Sequence, residues 1–478
     1  MPSRVWTTSE ALPSGPRGLG PFSPKRLMTQ IPTRSSWVTL FVLACILVFG
    51  LYLRIGAATG TVVINPLRAD AADYFVYSYN LRYKHTYSRE TGKMEDLHSP
   101  VRPDSLRSPG YPLFLALFID GLSVDSFVHK VVTAQAVLSS IAILVAFLLF
   151  RSFLSHVWAL AASLLVAVSP HLIVANSYIL TEALFCFTLT VTVWLTGFLR
   201  SKPSWWLTLG LGLLMGLASL VRPSLQFFPL LFAFFLVFQF GWRRGGKLAA
   251  TALIGFSLSL SPWIIRNMHI LGVSGDKTLM INFLHHGMYP DFTYDNVKES
   301  RGFPYRYDPR SSEISRDLPS VLREISNRFE KDPITHLHWF LVGKPVAFWS
   351  WNTVQGVGDA FVYPVSRSPY FHAPFFKWSH HLMHALHWPL VILALFGTLV
   401  VWLPLSRIGI EDGAVLTARV TSLLLIYYTA LHVIGAPFPR YSIPLRPFLY
   451  GLAFFPPYLL TFALTGHFRD RVKQFPSS

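Results

Sequence analysis

The sequence consists largely of apolar blocks of about twenty residues, separated by short connectors rich in Arg and Lys. A block of this length spans the ~30 Å hydrocarbon core of a bilayer as an α-helix. Only 14% of the 478 residues are charged and 52% are hydrophobic, whereas about 25% charged residues is typical of a soluble chain. The pattern therefore predicts an all-α polytopic membrane protein and excludes a soluble enzyme.

The apolar blocks predict ten membrane-spanning helices and two large loops on one side of the membrane. The spans are placed at residues 37–55, 127–150, 157–177, 182–199, 205–221, 224–241, 248–265, 382–404, 417–436 and 442–465. With the N-terminus inside, every short connector on the cytoplasmic side carries Arg or Lys, as the positive-inside rule requires. The large loops, residues 56–126 and 266–381, then both lie outside.

The two ends of the chain are expected to be cytoplasmic tails around one membrane domain. Residues 1–36 are rich in Pro, Ser and Gly and contain several Arg residues, which predicts a disordered basic tail. Met28 is an alternative start. The membrane domain covers residues 37–465, and residues 466–478 form the second tail.

The formal net charge of +17 comes from 41 Lys and Arg against 24 Asp and Glu. In a membrane protein this excess reflects positive charge kept on cytoplasmic connectors, so we do not expect nucleic-acid binding. The two cysteines, Cys45 and Cys186, each lie inside an apolar block and cannot form a disulfide framework.

Both outer loops contain segments with helical periodicity. In the first loop, Asp70, Asp73, Tyr74 and Tyr77 follow the i, i+3, i+4, i+7 spacing of one helix face. The second loop contains an amphipathic segment, and a helix is predicted to restart at Asp332-Pro333 and run through a Trp-rich stretch too short to span. We expect interfacial helices at these places. The apolar face of the amphipathic segment is Ile314, Leu318, Val321, Leu322, Ile325 and Phe329.

Four arginines, Arg54, Arg222, Arg266 and Arg440, lie at the outer ends of apolar spans, where positive charge is not selected for orientation. Each one alone is compatible with a side chain that extends to the interface. Together, above two large outer loops, they favour a site for an anionic headgroup, because the planar guanidinium group binds phosphate oxygens in pairs.

Asp70 is the strongest candidate for a catalytic base, because it begins the first outer helix close to the membrane. The alternative is a carboxylate that only stabilises the helix N-terminus. Asp73, one turn later, competes for the same role. Glu182, at the outer mouth of a span, either pairs with an outer arginine, orients a site residue or begins its helix.

Histidines are abundant in the outer segments, and His381, His384 and His387 follow one another at i, i+3, i+6. This spacing can present imidazoles to a metal ion. No acidic or cysteine residue accompanies them locally, so we predict no metal site.

Several motifs, in this order, resemble the GT-C class of polyprenyl-phosphate-sugar-dependent glycosyltransferases. They are DAADYFVYSYNL, RSPGYPLFLALF, ILTEALF, LASLVRPSL, SPWIIRN and RYSIPLRP. Their order and topology cover most of residues 37–465, and they are most similar to the branch of protein O-mannosyltransferases and lipid A aminoarabinose transferases.

The resemblance implies a bundle of about ten transmembrane helices and a role for each matching residue. Asp70 would deprotonate the acceptor for inverting attack. Relatives often have Glu where this chain has Ala71, so the helper role of that Glu is absent or passes to Asp73. Arg107 would contact the donor phosphate, next to Tyr111. The remaining residues expected at the substrate are Tyr74, Glu182, Arg222, Arg266 and Arg440.

The expected function is transfer of a sugar from undecaprenyl or dolichyl phosphate to a hydroxyl of a protein, lipid or glycan acceptor. The resemblance implies no cofactor and no catalytic metal, and it favours a bacterial inner membrane with the site on the periplasmic face; a membrane of the endoplasmic reticulum is the alternative. The alternatives are a polytopic transporter or flippase and a non-catalytic lipid-binding subunit. A transporter usually shows two matching halves with a site at mid-membrane, which this sequence lacks.

Overall fold

The computed structural model describes residues 34–473, except 93–95, 122, 355–357 and 409–411. Most of the predicted N-terminal tail, including Met28, lies outside the described residues, and so do residues 474–478. The helices are α1 (Arg34–Gly60), α2 (Asp70–Tyr83), α3 (Gly110–Ala116), α4 (Val124–Arg151), α5 (His156–Val168), α6 (Pro170–Val174), α7 (Glu182–Thr196), α8 (Trp205–Val221), α9 (Phe228–Leu271), α10 (Thr278–Gly287), α11 (Ser311–Ile314), α12 (Leu318–Lys331), α13 (Pro333–His338), α14 (Lys344–Phe348), α15 (Pro374–Val400), α16 (Leu416–Ile434), α17 (Arg446–Ala453) and α18 (Phe455–Lys473).

Within the described residues, seven helices are long and apolar enough to cross a membrane. An eighth candidate is the pair α5–α6, which is bent by 50° between Val168 and Pro170, and α8 is a shorter apolar helix. Helix α9 contains two of the predicted spans and is interrupted at Gly241. Each of the ten predicted spans therefore coincides with helical structure, which confirms an all-α, polytopic integral membrane protein.

The interruption of α9 is a reversal of chain direction. Gly241 has a φ of +75°, which favours glycine, and a Cβ on Gly245 would lie 2.3 Å from the carbonyl oxygen of Leu236. Residues nine positions apart in one straight helix are about 13 Å apart. Their contact shows that the chain folds back after Gly241, so residues 228–240 and 242–271 run in opposite directions.

Glycines also allow α8 to approach the second half of α9. A Cβ on Gly212 would lie 1.9 Å from the carbonyl oxygen of Ala252, and one on Gly255 would lie 2.2 Å from that of Leu209. Small residues at such crossings let two backbones approach closely, which is the common way for helices to associate in lipid.

Two short strands join the two outer loops. Strand β1 (Val62–Val63) pairs antiparallel with β2 (Val365–Arg367), with Val62 opposite Arg367. The sequence analysis did not predict this pairing, because strands of two and three residues leave no recognisable alternation. The pairing places the start of α2 beside the end of the second outer loop.

The second outer loop forms the predicted helices, with one correction. Asp317 and Asp332 cap α12 and α13 by accepting hydrogen bonds from the backbone N–H groups of Ser320 and Thr335, which confirms the restart at Asp332-Pro333. The predicted apolar face was continuous from Ile314 to Phe329, but the helix is interrupted between α11 and α12. Ile314 and Val321 are buried, whereas Leu322 is 51% exposed.

Candidate active site

Asp70 enters the site from a tight turn. The carbonyl oxygen of Arg68 accepts a hydrogen bond from the N–H of Ala71 at 3.0 Å, and Ala69 has φ 48° and ψ −123°. This is the geometry of a type II′ turn, whose first central residue is usually glycine. Helix α2 begins directly after it, so Asp70 and Asp73 lie one turn apart on the same face.

Arg107, in the loop before α3, binds both of these carboxylates. Its Nη2 lies 2.8 Å from Oδ1 of Asp70 and 2.9 Å from Oδ2 of Asp73, and its Nε donates to the same Asp73 oxygen at 3.0 Å. The guanidinium carbon stands 5.4 Å from the ring centre of Tyr74. The first outer loop therefore folds back onto the start of α2.

Arg440 holds the other oxygen of Asp70. Its Nη2 donates to Oδ2 of Asp70 at 3.0 Å, and its Nε donates to Oε1 of Glu182 at 2.7 Å. Nη2 of Arg222 lies 3.7 Å from the same Glu182 oxygen. Glu182 begins α7 and Arg222 follows α8, so side chains from distant parts of the sequence meet here.

Acids and arginines alternate through the site. In spatial order the chain of ion pairs is Asp73, Arg107, Asp70, Arg440, Glu182 and Arg222. Three carboxylates face three guanidinium groups, so the fixed charges within this chain cancel. The end that carries the two aspartates is the more open one, because the side chains of Asp70 and Asp73 are 30% and 28% exposed, against 1% for Glu182.

The arginines control the protonation of Asp70. Burial alone would raise the pKa of this carboxyl, but Arg440 and Arg107 outweigh burial and lower the pKa to about 2. For Arg107, burial lowers the pKa, but Tyr74, Asp70 and Asp73 raise it by more. The pKa of Arg107 therefore lies above its ordinary range. Asp70 is consequently ionised at neutral pH and is bound on both oxygens.

Gly110 explains why the loop carrying Arg107 meets the end of α8. A Cβ on this residue would lie 2.7 Å from backbone atoms of Leu220 and Val221. Only glycine permits so close an approach of two backbones. This contact places Arg107 near the helix end that Arg222 follows.

Arg266 stands outside the chain of ion pairs and supports the first outer loop. Its Nη1 donates to the carbonyl oxygen of Asp104 at 2.7 Å, and its Nη2 donates to that of Tyr87 at 3.1 Å. The hydroxyl of Tyr87 donates in turn to the carbonyl oxygen of Arg107 at 3.0 Å. Asp104 also accepts from the hydroxyl of Tyr77 on α2. Arg266 thus acts on the site through the backbone of this loop.

Two of the expected substrate residues are aromatic and lie one behind the other. The ring of Tyr74 packs edge-on against the ring of Tyr111 at 5.0 Å. Tyr111 is fully buried, and its hydroxyl donates to Oε1 of Gln135 at 2.8 Å. Tyr74 therefore faces Arg107, and Tyr111 supports Tyr74 from behind.

Tyr363, which contacts Arg68 in the turn before Asp70, was not identified from the sequence. The guanidinium of Arg68 stands 5.5 Å from the ring centre of Tyr363, which lies just before β2 in the second outer loop. The backbone carbonyl of Tyr363 accepts from the hydroxyl of Tyr178 at 3.2 Å. No motif marks Tyr363, because its position depends on the β1–β2 pairing.

Arg54 is not part of this site, contrary to the expectation that the four outer arginines share one. It is 1% exposed and donates to the carbonyl oxygens of Val166 and Ala167, each at 2.8 Å, and to Ser139. Pro170 has no N–H, so the carbonyl of Val166 loses its usual helical partner. Arg54 satisfies that carbonyl where α5 and α6 bend apart.

The histidines of α15 have structural contacts. Nε2 of His387 lies 2.8 Å from the carbonyl oxygen of Trp349, and its Nδ1 lies 3.0 Å from Nη1 of Arg446. His380 pairs with Asp359 at 2.6 Å. In the part of the chain that the structure describes, no three or more His, Cys, Asp or Glu residues are arranged to hold a metal ion.

The fold and this site define a polytopic helical membrane protein with a charged cluster at one end of its bundle. Residues 106–266 match the model of the family described as dolichyl-phosphate-mannose-protein mannosyltransferase. The match includes Arg107, Glu182, Arg222 and Arg266, and it confirms the predicted resemblance to the GT-C class of membrane glycosyltransferases. No curated protein sequence matches the chain.

Three solved structures illustrate the similarity. The archaeal oligosaccharyltransferase AglB from Archaeoglobus fulgidus, in complex with an inhibitory peptide and a dolichol-phosphate, is 13% identical, with a TM-score of 0.48 over 93% of this chain and 52% of that chain. ArnT from Cupriavidus metallidurans bound to undecaprenyl phosphate is 12% identical, with a TM-score of 0.39 over 88% and 60%. The S. cerevisiae protein O-mannosyltransferase Pmt1-Pmt2 complex bound to the sugar donor is 17% identical, with a TM-score of 0.38 over 57% and 38%. The chain thus spans about half the length of the first of these structures.

Proposed function

We propose that this protein transfers a sugar from a polyprenyl phosphate to an acceptor hydroxyl at the outer face of the membrane. The observation that carries the proposal is the Asp70 carboxylate, held between the guanidinium groups of Arg107 and Arg440. A base beside two phosphate-binding groups is what such a transfer needs. The matched family supports a lipid phosphate as donor, since its description names dolichyl-phosphate-mannose.

In the proposed reaction, Asp70 accepts the proton of the acceptor hydroxyl while that oxygen attacks the anomeric carbon. The bond between the anomeric carbon and the phosphate oxygen breaks, and the lipid phosphate leaves with the electron pair. Arg107 and Arg440 stabilise the negative charge that develops on this leaving group. Attack from the face opposite the phosphate inverts the anomeric configuration.

Besides supplying the sugar, the bound donor would change the pKa of Asp70. A phosphate that binds Arg107 and Arg440 competes with Asp70 for the same N–H donors, because each guanidinium has a limited number of them. Once these contacts weaken, the influence that holds the pKa of Asp70 near 2 is reduced, and its pKa rises. Donor binding would therefore make Asp70 a stronger base when the acceptor arrives.

Asp70 is a better candidate for the base than Asp73. Asp70 contacts both Arg107 and Arg440, so it lies between the two groups proposed to hold the phosphate. Asp73 contacts only Arg107 among the salt bridges of the described residues. We assign Asp73 the role of orienting Arg107.

We place the active site on the periplasmic side of a bacterial inner membrane. The connector between the two halves of α9, at the opposite end of the bundle, carries the exposed basic residues Arg243, Arg244 and Lys247, which are typical of a cytoplasmic surface. Residues 37–465 would form the catalytic domain, with the outer loops 56–126 and 266–381 enclosing the substrates. The acceptor is a hydroxyl of a protein, lipid or glycan.

Reconstitution into liposomes tests this proposal. The purified protein is supplied with a radiolabelled sugar on undecaprenyl or dolichyl phosphate and with a membrane extract as acceptor. We expect a new glycoside and release of the free lipid phosphate. Movement of the labelled lipid between leaflets without cleavage of the sugar–phosphate bond would show a flippase and refute the proposed function.

A further inference from the structure

Two polar atoms deep in the site have no hydrogen-bond partner among the described residues. One is Oε2 of Glu182, whose other oxygen accepts from Arg440 at 2.7 Å. The second is Nη1 of Arg222, whose Nη2 lies 3.7 Å from the same Glu182 residue. A buried acceptor and a buried donor without partners are costly, so each such pair needs an explanation.

The surroundings of these two atoms are aromatic. The guanidinium carbon of Arg222 stands 4.9 Å from the ring centre of Tyr441 and 5.9 Å from that of Phe185. Glu182 is 2% exposed, while the Arg222 side chain is 13% exposed. Oε2 of Glu182 is thus enclosed, and Arg222 is the more accessible of the two groups.

The two atoms require different things of a ligand. A carboxylate oxygen accepts only, and a guanidinium nitrogen donates only. A hydroxyl group satisfies both at once, because its O–H donates and its lone pairs accept. A phosphate oxygen would suit Arg222, but Glu182 would repel it.

We propose that Glu182 and Arg222 bind a hydroxyl group of the sugar being transferred, and that the ring of Tyr441 packs against the apolar face of that sugar. This inference rests on the proposed function and divides the site in two. Arg107 and Arg440 bind the phosphate on either side of Asp70, and the far end of the ion-pair chain recognises the sugar. The arginines of this site then bind different groups of the donor, either its phosphate or its sugar, although they look alike in the sequence.

The test compares binding of a lipid phosphate with and without its sugar. Binding of a short-chain polyprenyl phosphate, and of the same lipid carrying a panel of hexoses and pentoses, is measured by calorimetry on the full-length protein in detergent. Glu182→Gln keeps the acceptor for Arg440 but can place an amide donor where Oε2 accepted. Arg222→Lys keeps the charge and removes Nη1. Thermal unfolding of both variants serves as the folding control.

We expect wild-type protein to bind at least one glycosylated lipid more tightly than the bare lipid phosphate. Both variants should lose about 10-fold or more of that preference, the effect of one hydrogen bond to a charged group, and should bind the bare lipid at least as tightly as wild type does. If a variant binds the bare and the glycosylated lipid equally more weakly, Glu182 acts only through Arg440. If it binds both as wild type does, Glu182 makes no contact with the sugar. Either result overturns the inference. Should wild type bind the bare lipid and prefer no glycosylated form, the sugar site is refuted but the phosphate site stands. Failure to bind either lipid contradicts the proposed function itself.

Discussion

The turn before Asp70 makes a quantitative prediction for Ala69→Gly. Ala69 has φ 48° and ψ −123°, a conformation that glycine adopts freely and that alanine adopts only under strain. The turn is closed by the hydrogen bond from Ala71 to Arg68, and it leads directly into Asp70. We interpret the strain as the means by which the carboxylate is held between its two arginines.

The expected stability change follows from two opposing effects. Relief of a strained backbone conformation is worth about 1–3 kcal/mol. Glycine also makes the unfolded chain more flexible, which costs about 0.4–1 kcal/mol. Ala69→Gly should therefore stabilise the protein by about 1 kcal/mol, the difference between these effects.

The same substitution should reduce activity. A glycine at position 69 can adopt other backbone conformations, so Asp70 is less firmly positioned, and small displacements of a catalytic group reduce rates strongly. A displacement of 1 Å can lower a rate by about 100-fold. Because the displacement here is smaller, we expect kcat to fall by about 10-fold. Donor affinity should change little. The assays are thermal unfolding in detergent, donor binding and transfer by the reconstituted protein.

Ala72→Gly is the matched control for stability. Ala72 lies inside the first turn of α2, where glycine costs about 0.5–1 kcal/mol, so the same replacement should destabilise the protein. If Ala69→Gly also destabilises, Ala69 is not strained. If it stabilises but leaves kcat unchanged, the strain exists without positioning Asp70, and our interpretation is refuted.

Three further predictions concern the arginines. Arg107→Ala should weaken binding of a polyprenyl phosphate by about 10- to 100-fold, the loss of one charged hydrogen-bonding group, and the protein should remain folded although Asp70 and Asp73 lose a shared partner; unaltered binding would contradict the phosphate assignment. In wild type the pKa of about 2 keeps Asp70 ionised, so its protonation should not limit kcat/KM above about pH 4; in Arg107→Ala the pKa rises, and an acid limb should move to higher pH, which a pH–rate profile detects. Arg54→Met should destabilise the protein by about 2–4 kcal/mol, because the carbonyls of Val166 and Ala167 lose their donor inside the membrane domain; an unchanged unfolding temperature would show that these bonds contribute nothing.

The bundle was predictable because lipid restricts the chain to helices of one length. Every predicted span coincides with helical structure, and the reversal at Gly241 lies directly before the connector predicted between the spans 224–241 and 248–265. The α2 helix was predictable for a similar reason, since the spacing of Asp70, Asp73 and Tyr77 fits one face.

The pairing of site residues was not predictable from the sequence alone. Arg54, Arg222 and Arg440 look alike, each at the end of an apolar span, yet Arg54 completes the bent α5–α6 pair and the other two meet Glu182. The difference depends on Pro170, which releases a carbonyl near Arg54. Tyr363 was missed because only the β1–β2 pairing brings it near Arg68.

The most direct test of the account is the comparison of Asp70→Asn with Asp73→Asn. Asparagine has nearly the shape of aspartate but cannot accept the proton of the acceptor hydroxyl. Both variants are reconstituted, and lipid-phosphate binding and sugar transfer are measured on the same preparations. We predict that Asp70→Asn lowers transfer by about 100-fold or more with binding retained or tighter, since the arginines are released, and that Asp73→Asn lowers it far less. Near wild-type transfer by Asp70→Asn, or a greater loss in Asp73→Asn, would contradict the claim that Asp70 is the base.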